Sequence, residues 1–222
     1  MIKKGFTLAE VLITLGIIGV VAAMTMPTLI QSANDAKIGP ELANAVSTLG
    51  NAIDNFMQDN NATSLQVALL KENSENSAND LIKILTGKYV RSSGIIPPDK
   101  KVSKLGDEKT EITFGAASTA NAMLLGNKSI LAAETTSCKI EATETSHCGI
   151  IFYTSGYGNS LKEKLMAGRD IFKLVVTDKG EVIPFGSPGS GANSTEAADC
   201  VSKGKATTCA GKIAAAGWKK DY

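Results

Sequence analysis

One carboxylate, Glu10, stands in an otherwise apolar stretch from Phe6 to Met26. An ionised group near the centre of a membrane-depth helix costs about 2.5–3.5 kcal/mol, and less near an end. Such a group needs a partner of opposite charge, so Glu10 is the residue whose chemistry most demands an account. The other constellations are weaker. His147 is the single histidine and adjoins Cys148, but a metal site would need further ligands. The cysteines Cys138, Cys148, Cys200 and Cys209 show no C-x-x-C spacing, so they read as disulfide partners rather than metal ligands. One histidine without an orienting acid argues against a triad hydrolase. Asp178-x-Gly180-Glu181 offers too few oxygens for a calcium cage and reads as a hairpin turn. The run Gly186-Ser187-Pro188-Gly189-Ser190-Gly191 lacks the Lys-Ser/Thr of a phosphate loop and reads as a connector. No catalytic residue, metal or cofactor is expected.

The element that positions Glu10 must be a helix. At 1.5 Å per residue, Phe6 to Met26 spans about 31 Å, the thickness of a hydrocarbon core. Thr7, Thr14 and Thr25 can return their hydroxyls to the helix backbone. Lys3 and Lys4 precede the run, and the positive-inside rule holds that end in the cytoplasm. A cleaved secretory signal, with Val21-Ala22-Ala23 as the cut site, would have the same outline, as would a plain membrane anchor. Neither gives Glu10 a purpose.

Beyond Pro27 a helical pattern continues, with joints expected at Pro27 and at Gly39-Pro40. Leu42, Ala45, Val46, Leu49, Ile53, Phe56 and Met57 recur at spacings of three and four, with Asn44, Ser47, Asn51, Asp54 and Asn55 opposite. One helix is therefore expected from Phe6 to about Asp59. Short helices follow at Ser64–Glu72 and at Leu81–Thr86, the second capped by Asn79-Asp80 and closed by Gly87. Residues 88–109, with Pro97-Pro98, read as a polar loop. Hairpins are expected at 122–131 and 170–184, with a strand at Cys148–Thr154 between them. Trp218 reads as a core anchor.

Lys plus Arg is 23 and Asp plus Glu is 22, for a net charge of +1. That balance argues against nucleic acid or an acidic surface as partner. If the first helix carries the chain through a membrane, the cysteines lie in an oxidising compartment and should pair. Three connectivities are open; the local one, Cys138–Cys148 with Cys200–Cys209, closes the shortest loops, worth about 2–3 kcal/mol each.

Lys4-Gly5-Phe6-Thr7-Leu8-Ala9-Glu10-Val11-Leu12 followed by a long apolar run resembles the N-terminus of type IV prepilins and type II secretion pseudopilins. The resemblance implies a cut between Gly5 and Phe6 by a prepilin peptidase, N-methylation of Phe6, and an assembly role for Glu10. It also implies a helix kink at Pro27 and an α+β, pilin-like fold, a long N-terminal helix on an antiparallel sheet. The implied organisation is a leader at 1–5, a helix at 6–59 (membrane 6–26, amphipathic stem 27–59) and a globular head at 60–222. The implied partners are the peptidase, other pilin or pseudopilin subunits, and an inner-membrane platform with an ATPase motor. The implied location is a single pass of the bacterial inner membrane, head outward. A structural filament subunit is expected; a minor tip subunit that binds substrate, DNA or surfaces is the alternative. Some pseudopilins hold calcium near the end of the head, but Asp178-x-Gly180-Glu181 remains better explained as a turn. Gly168-Arg169-Asp170-Ile171-Phe172 and the Cys209…Trp218…Tyr222 ending loosely resemble heads of the secretion-like members.

The charge chemistry fits that expectation. Cutting after Gly5 leaves an ammonium on Phe6, about one helical turn from Glu10. A neighbour's ammonium placed about 4 Å from Glu10 is attracted by about 4 kcal/mol at an effective dielectric of 20, before desolvation is subtracted. The pair therefore contributes more to register than to stability, since a misaligned neighbour leaves both charges unpaired. Cleavage also removes Lys3 and Lys4, takes the net charge from +1 to −1, and removes the cytoplasmic anchor.

Overall fold

The computed structural model describes residues 7–75, 77–92, 94–95, 101–104, 107–111, 120–135, 140, 148–154, 164–191, 200, 208–220 and 222, with side chains omitted at 94–95, 101–104, 107–108, 110–111 and 164. The chain divides into two compact units, Met1–Lys37 and Ile38–Tyr222.

Helix α1 runs Leu8–Asp59 and is helical across Pro27 and across Gly39-Pro40. In the first unit its apolar side chains are exposed, from Leu8 at 78% to Met24 at 73%, Leu29 at 66% and Ile30 at 60%. This part is long and apolar enough to cross a membrane. Its threonines bond to their own helix: Thr14 Oγ1 donates to Val11 O at 3.0 Å and Thr25 Oγ1 to Val21 O at 3.0 Å. A hydroxyl satisfied in this way can enter hydrocarbon without a large penalty.

In the second unit α1 buries Ile38, Leu42, Ala45, Leu49, Ala52, Ile53 and Phe56, while Asn44, Ser47, Asn51, Asp54 and Asn55 stay exposed. The three-and-four spacing thus becomes one stripe in the core. Asn61 ends the helix in the left-handed region at φ 45°. Ala62 N–H reaches Met57 O at 3.0 Å and Asn61 N–H reaches Gln58 O at 2.9 Å, a Schellman closure.

Helix α2 (Leu65–Lys71) starts at Ser64, whose hydroxyl accepts from Val67 N–H. It is also tied to a residue far along the chain. Leu65 N–H donates to Asp178 O at 2.7 Å and Gln66 N–H to Asp178 Oδ1 at 2.9 Å. Asp178 therefore satisfies two of the first-turn donors that a helix leaves open. Replacing Asp178 by Ala should destabilise the head by about 1 kcal/mol, as loss of a helix cap does, whereas Asp178→Asn keeps an accepting oxygen and should stay close to wild type. Chemical denaturation of the two variants checks this.

Helix α3 (Ala78–Lys88) begins at Ser77, which accepts from Asp80 N–H at 3.1 Å, and not at Asn79-Asp80. Asn79 is used elsewhere: its carbonyl oxygens accept from the Asn121 backbone and amide side chain. Regular helix stops at Thr86, and Gly87 turns left-handed at φ 86°. Phe56 and Tyr89 meet edge to face at 5.6 Å, joining this corner to α1.

Nine strands follow among the described residues: β1 (Gly94–Ile95), β2 (Lys101–Lys104), β3 (Asp107–Glu111), β4 (Ala122–Leu124), β5 (Ile130–Ala133), β6 (Cys148–Tyr153), β7 (Lys164–Met166), β8 (Ile171–Val176) and β9 (Val182–Pro184). A six-stranded sheet is ordered β1-β4-β5-β6-β8-β9, each neighbouring pair antiparallel. A second sheet is ordered β3-β2-β7, with β2 and β7 parallel. Residues 88–109 are therefore not one loop. Their strands are short: β1 pairs with distant β4, and β2 pairs with β7 and, irregularly, with β3, in mostly polar runs without an apolar alternation to announce them.

Every residue of β6 is buried, which makes Gly149-Ile150-Ile151-Phe152-Tyr153 a continuous apolar run rather than an alternating one. Phe152 lies opposite Phe172 in register, ring centroids 6.4 Å apart. Gly149 leaves room for Glu134 to lie across β6, where a Cβ would overlap the Glu134 carboxylate. That lets Glu134 reach Lys173 Nζ at 2.9 Å. The β8–β9 turn closes with Gly180 N–H on Thr177 O at 3.0 Å and Gly180 at φ 83°, the hairpin geometry that a glycine permits. In the 122–131 hairpin the left-handed residue is Lys128 at φ 68°, and the loop runs from Leu125 to Ser129.

Helix α4 (Cys209–Ala215) packs on β8 and β9. The contact is backbone to backbone: Gly211 N–H donates to Phe185 O at 2.9 Å, and a Cβ on Gly211 would overlap the main chain of Gly186 and Ser187. A disulfide joins buried Cys200 and Cys209, Cα atoms 4.8 Å apart. The architecture is α+β, a long N-terminal helix and an antiparallel-sheet head.

Candidate functional site

The site singled out by the sequence is the start of α1. Lys3, Lys4, Gly5 and Phe6 lie outside the described residues. Thr7 precedes the first helical residue, and its position explains how Glu10 is held. Thr7 N–H donates to Glu10 Oε2 at 2.8 Å, and the Thr7 hydroxyl donates to the same oxygen at 2.7 Å. In return Glu10 N–H points to Thr7 Oγ1 at 3.3 Å. This is a reciprocal capping box, in which residues three apart satisfy each other's open donors at a helix start. Thr7 is the residue that the sequence reading missed as a partner of Glu10. The signal was present: a Thr-x-x-Glu ahead of an apolar run is the capping-box pattern.

The arrangement changes what Glu10 needs. Within one chain the carboxylate already accepts from two donors, and a negative charge in the first turn is favoured by the helix dipole. Among the described residues Oε1 takes no hydrogen bond, so a second donor can approach it without displacing Thr7. Every residue from Thr7 to Val20 is exposed, and added Cβ atoms on Gly16 and Gly19 would meet nothing within 4 Å. The helix start is thus an uncovered apolar surface carrying one carboxylate, a form suited to a bilayer or to other helices.

The remaining candidates fall elsewhere. Asp178 is committed to the start of α2, which fits the plain-turn reading of Asp178-x-Gly180-Glu181. Cys148 is disulfide-bonded and buried; Cys138 and His147 lie outside the described residues. Gly39 is buried inside α1, where a Cβ would overlap the Trp218 carbonyl. Its glycine therefore serves a close approach. Trp218 packs, partly buried, against the core.

A long apolar helix with a capped acid at its start, followed by an antiparallel-sheet head, is the layout of a pilin-like α+β protein. Residues 1–26 match the family model of the prokaryotic N-terminal methylation motif, the prepilin-type motif of type IV pilins and pseudopilins. No curated protein and no solved structure matches the chain. The motif marks the chain for processing by prepilin peptidase and for assembly with other pilin subunits, and with the apolar helix it fits a single-pass, inner-membrane-anchored subunit.

Proposed function

We propose that the chain is a structural subunit of a type IV pilus or type II secretion pseudopilus. Prepilin peptidase removes residues 1–5 and Phe6 is methylated. Residues 6–26 then anchor the mature chain in the inner membrane, 27–59 form the stem, and 60–222 form a head on the outer side. An ATPase-driven platform in the same membrane moves subunits into the fibre. Glu10 sets the register by meeting the Phe6 amine of the next subunit. Pro27 and Gly39-Pro40 are the places where the stem adapts, since each proline removes a helix hydrogen bond. The carrying observation is that the methylation motif leads into an exposed apolar helix whose one carboxylate, Glu10, is held at its start.

Mass spectrometry of the native protein tests this. The expected mature chain begins at N-methylated Phe6. A start near Met24 would replace this account with secretion, and an intact leader would remove it. A bulky side chain in place of Gly5 should leave the leader attached, whereas Gly5→Ala should be processed.

A further inference from the structure

Gly39, Gly149, Gly180 and Gly211 each make room for another part of the head. Gly50 does not. It lies inside α1, where glycine costs about 1 kcal/mol relative to alanine, yet nothing stands within 4 Å of an added Cβ. Gly16 and Gly19, in the part of the same helix suited to other helices, share that openness. The space over Gly50 belongs to a groove of about 220 Å³ between α1 and the β8–β9 turn. Half-buried Val46, Gly50 and Val182 line it, together with exposed Asp54, Glu181 and Lys179. Two carboxylates against one ammonium leave it net negative, and neither carboxylate makes an ion pair among the described residues.

The complementary group lies across the sheet. The chain has two arginines, Arg91 and Arg169. Arg169 is paired with Asp170 at 2.9 Å. Arg91 is exposed and makes no ion pair among the described residues. It stands just ahead of β1, one rim of the six-stranded sheet, whereas the groove runs beside β9, the other rim. Five strand spacings of about 4.8 Å put about 24 Å between the rims, too far for Arg91 to reach the groove of its own head. A guanidinium fork suits a pair of carboxylates, and an arginine stem can lie on apolar surface while its head stays charged.

We propose that this groove receives Arg91 of a second copy of the chain, its stem over Gly50 and its guanidinium on the Asp54 and Glu181 carboxylates. The two surfaces differ and lie on opposite rims, so the contact is head to tail. Each head gives one arginine and takes another, and such a contact repeats into an open helix rather than closing a dimer. The helix propensity given up at Gly50 leaves space that only a neighbour fills. The inference rests on the assembly reading and adds to it the faces by which heads meet.

Charge exchange in the full chain tests the contact. Arg91→Glu and Glu181→Arg should each lower fibre yield about tenfold, with the melting temperature unchanged because both side chains are exposed. Combined in one chain, they should return the yield to within about twofold of wild type. Unaltered yield from Arg91→Glu, or a double variant no better than the single ones, would overturn the proposal. A second measurement is independent of yield. Arg91→Lys keeps the charge and supplies an amine, which a carbodiimide joins to a touching carboxylate as an amide with loss of water. On sheared fibres the expected product is a ladder of covalent oligomers whose peptides link position 91 to Asp54 or Glu181. Fibres of this variant without such a link sink the contact and leave the assembly reading standing, as does a link from either carboxylate to a different protein. A wild-type chain that begins near Met24 or forms no polymer removes both.

Discussion

Glu10→Gln should insert in the membrane and be cleaved like the wild type, yet lower fibre yield by about a hundredfold. The reasoning separates two jobs of one side chain. Glutamine can occupy the third position of a capping box, so the reciprocal bonds with Thr7 survive. What is lost is the charge that would meet the next subunit's amine. Whatever the net worth of the intact pair, removing one partner leaves the neighbour's ammonium buried and unpaired, a cost of about 3 kcal/mol at each contact. About 2.7 kcal/mol is a hundredfold in an association constant. Glu10→Val removes both cap and charge and should assemble no better than Glu10→Gln. The measurement is sheared-fibre yield against total subunit. Normal yield from Glu10→Gln with loss in Glu10→Val would mean that the cap matters and the charge does not.

Gly211→Ala should destabilise the head by about 3 kcal/mol. The added methyl would meet main-chain atoms of Gly186 and Ser187, which cannot swing aside as a flexible side chain would. Overpacking of this kind costs about 1–3 kcal/mol, and more where backbone must move. At about 2–4 °C per kcal/mol for a unit of this size, the melting temperature should fall by about 6–12 °C. Gly50→Ala is the matching control. It sits in α1 with nothing within 4 Å of an added Cβ, so it should stabilise by about 0.5–1 kcal/mol through helix propensity. A thermal melt in which both substitutions move the midpoint alike would show that the contact of α4 with the turn after β9 is looser than it stands here.

What could be read from the sequence follows from which signals are local. The α1 stripe was legible because Leu42, Leu49 and Phe56 repeat at helical spacing and the structure buries them together. The start of α2 at Ser64 and the β8–β9 hairpin were legible from a cap residue and a turn glycine. By contrast β1 and β2 were missed within a stretch read as loop: β1 pairs with distant β4, and β2, although it pairs with nearby β3 as well as distant β7, is a short, mostly polar run with an irregular register. Helix α4 was missed because Ala- and Gly-rich Cys209–Ala215 carries no amphipathic pattern, and its packing depends on a glycine-to-glycine approach. Asp178 looked like a turn residue and is one, but its second use as a cap for α2 spans 112 residues of sequence. At the candidate site Glu10 was legible from its charge, whereas Thr7 was passed over because its hydroxyl was assigned to the helix backbone rather than to the acid.

The rims of the six-stranded sheet carry a consequence for any polymer that the chain forms. One rim is β1, two residues long, and the other is β9, three residues ending in Pro184, whose carbonyl is already taken by Ser187 N–H at 3.0 Å. Rims this short, one of them finished by a residue with no N–H, offer little backbone for another chain to zip onto. Heads crowded side by side can therefore touch along this sheet without its rims fusing into an amyloid-like ribbon. In the fibre proposed above, growth and disassembly would then fall to the greasy helices, where a subunit can be withdrawn as well as added.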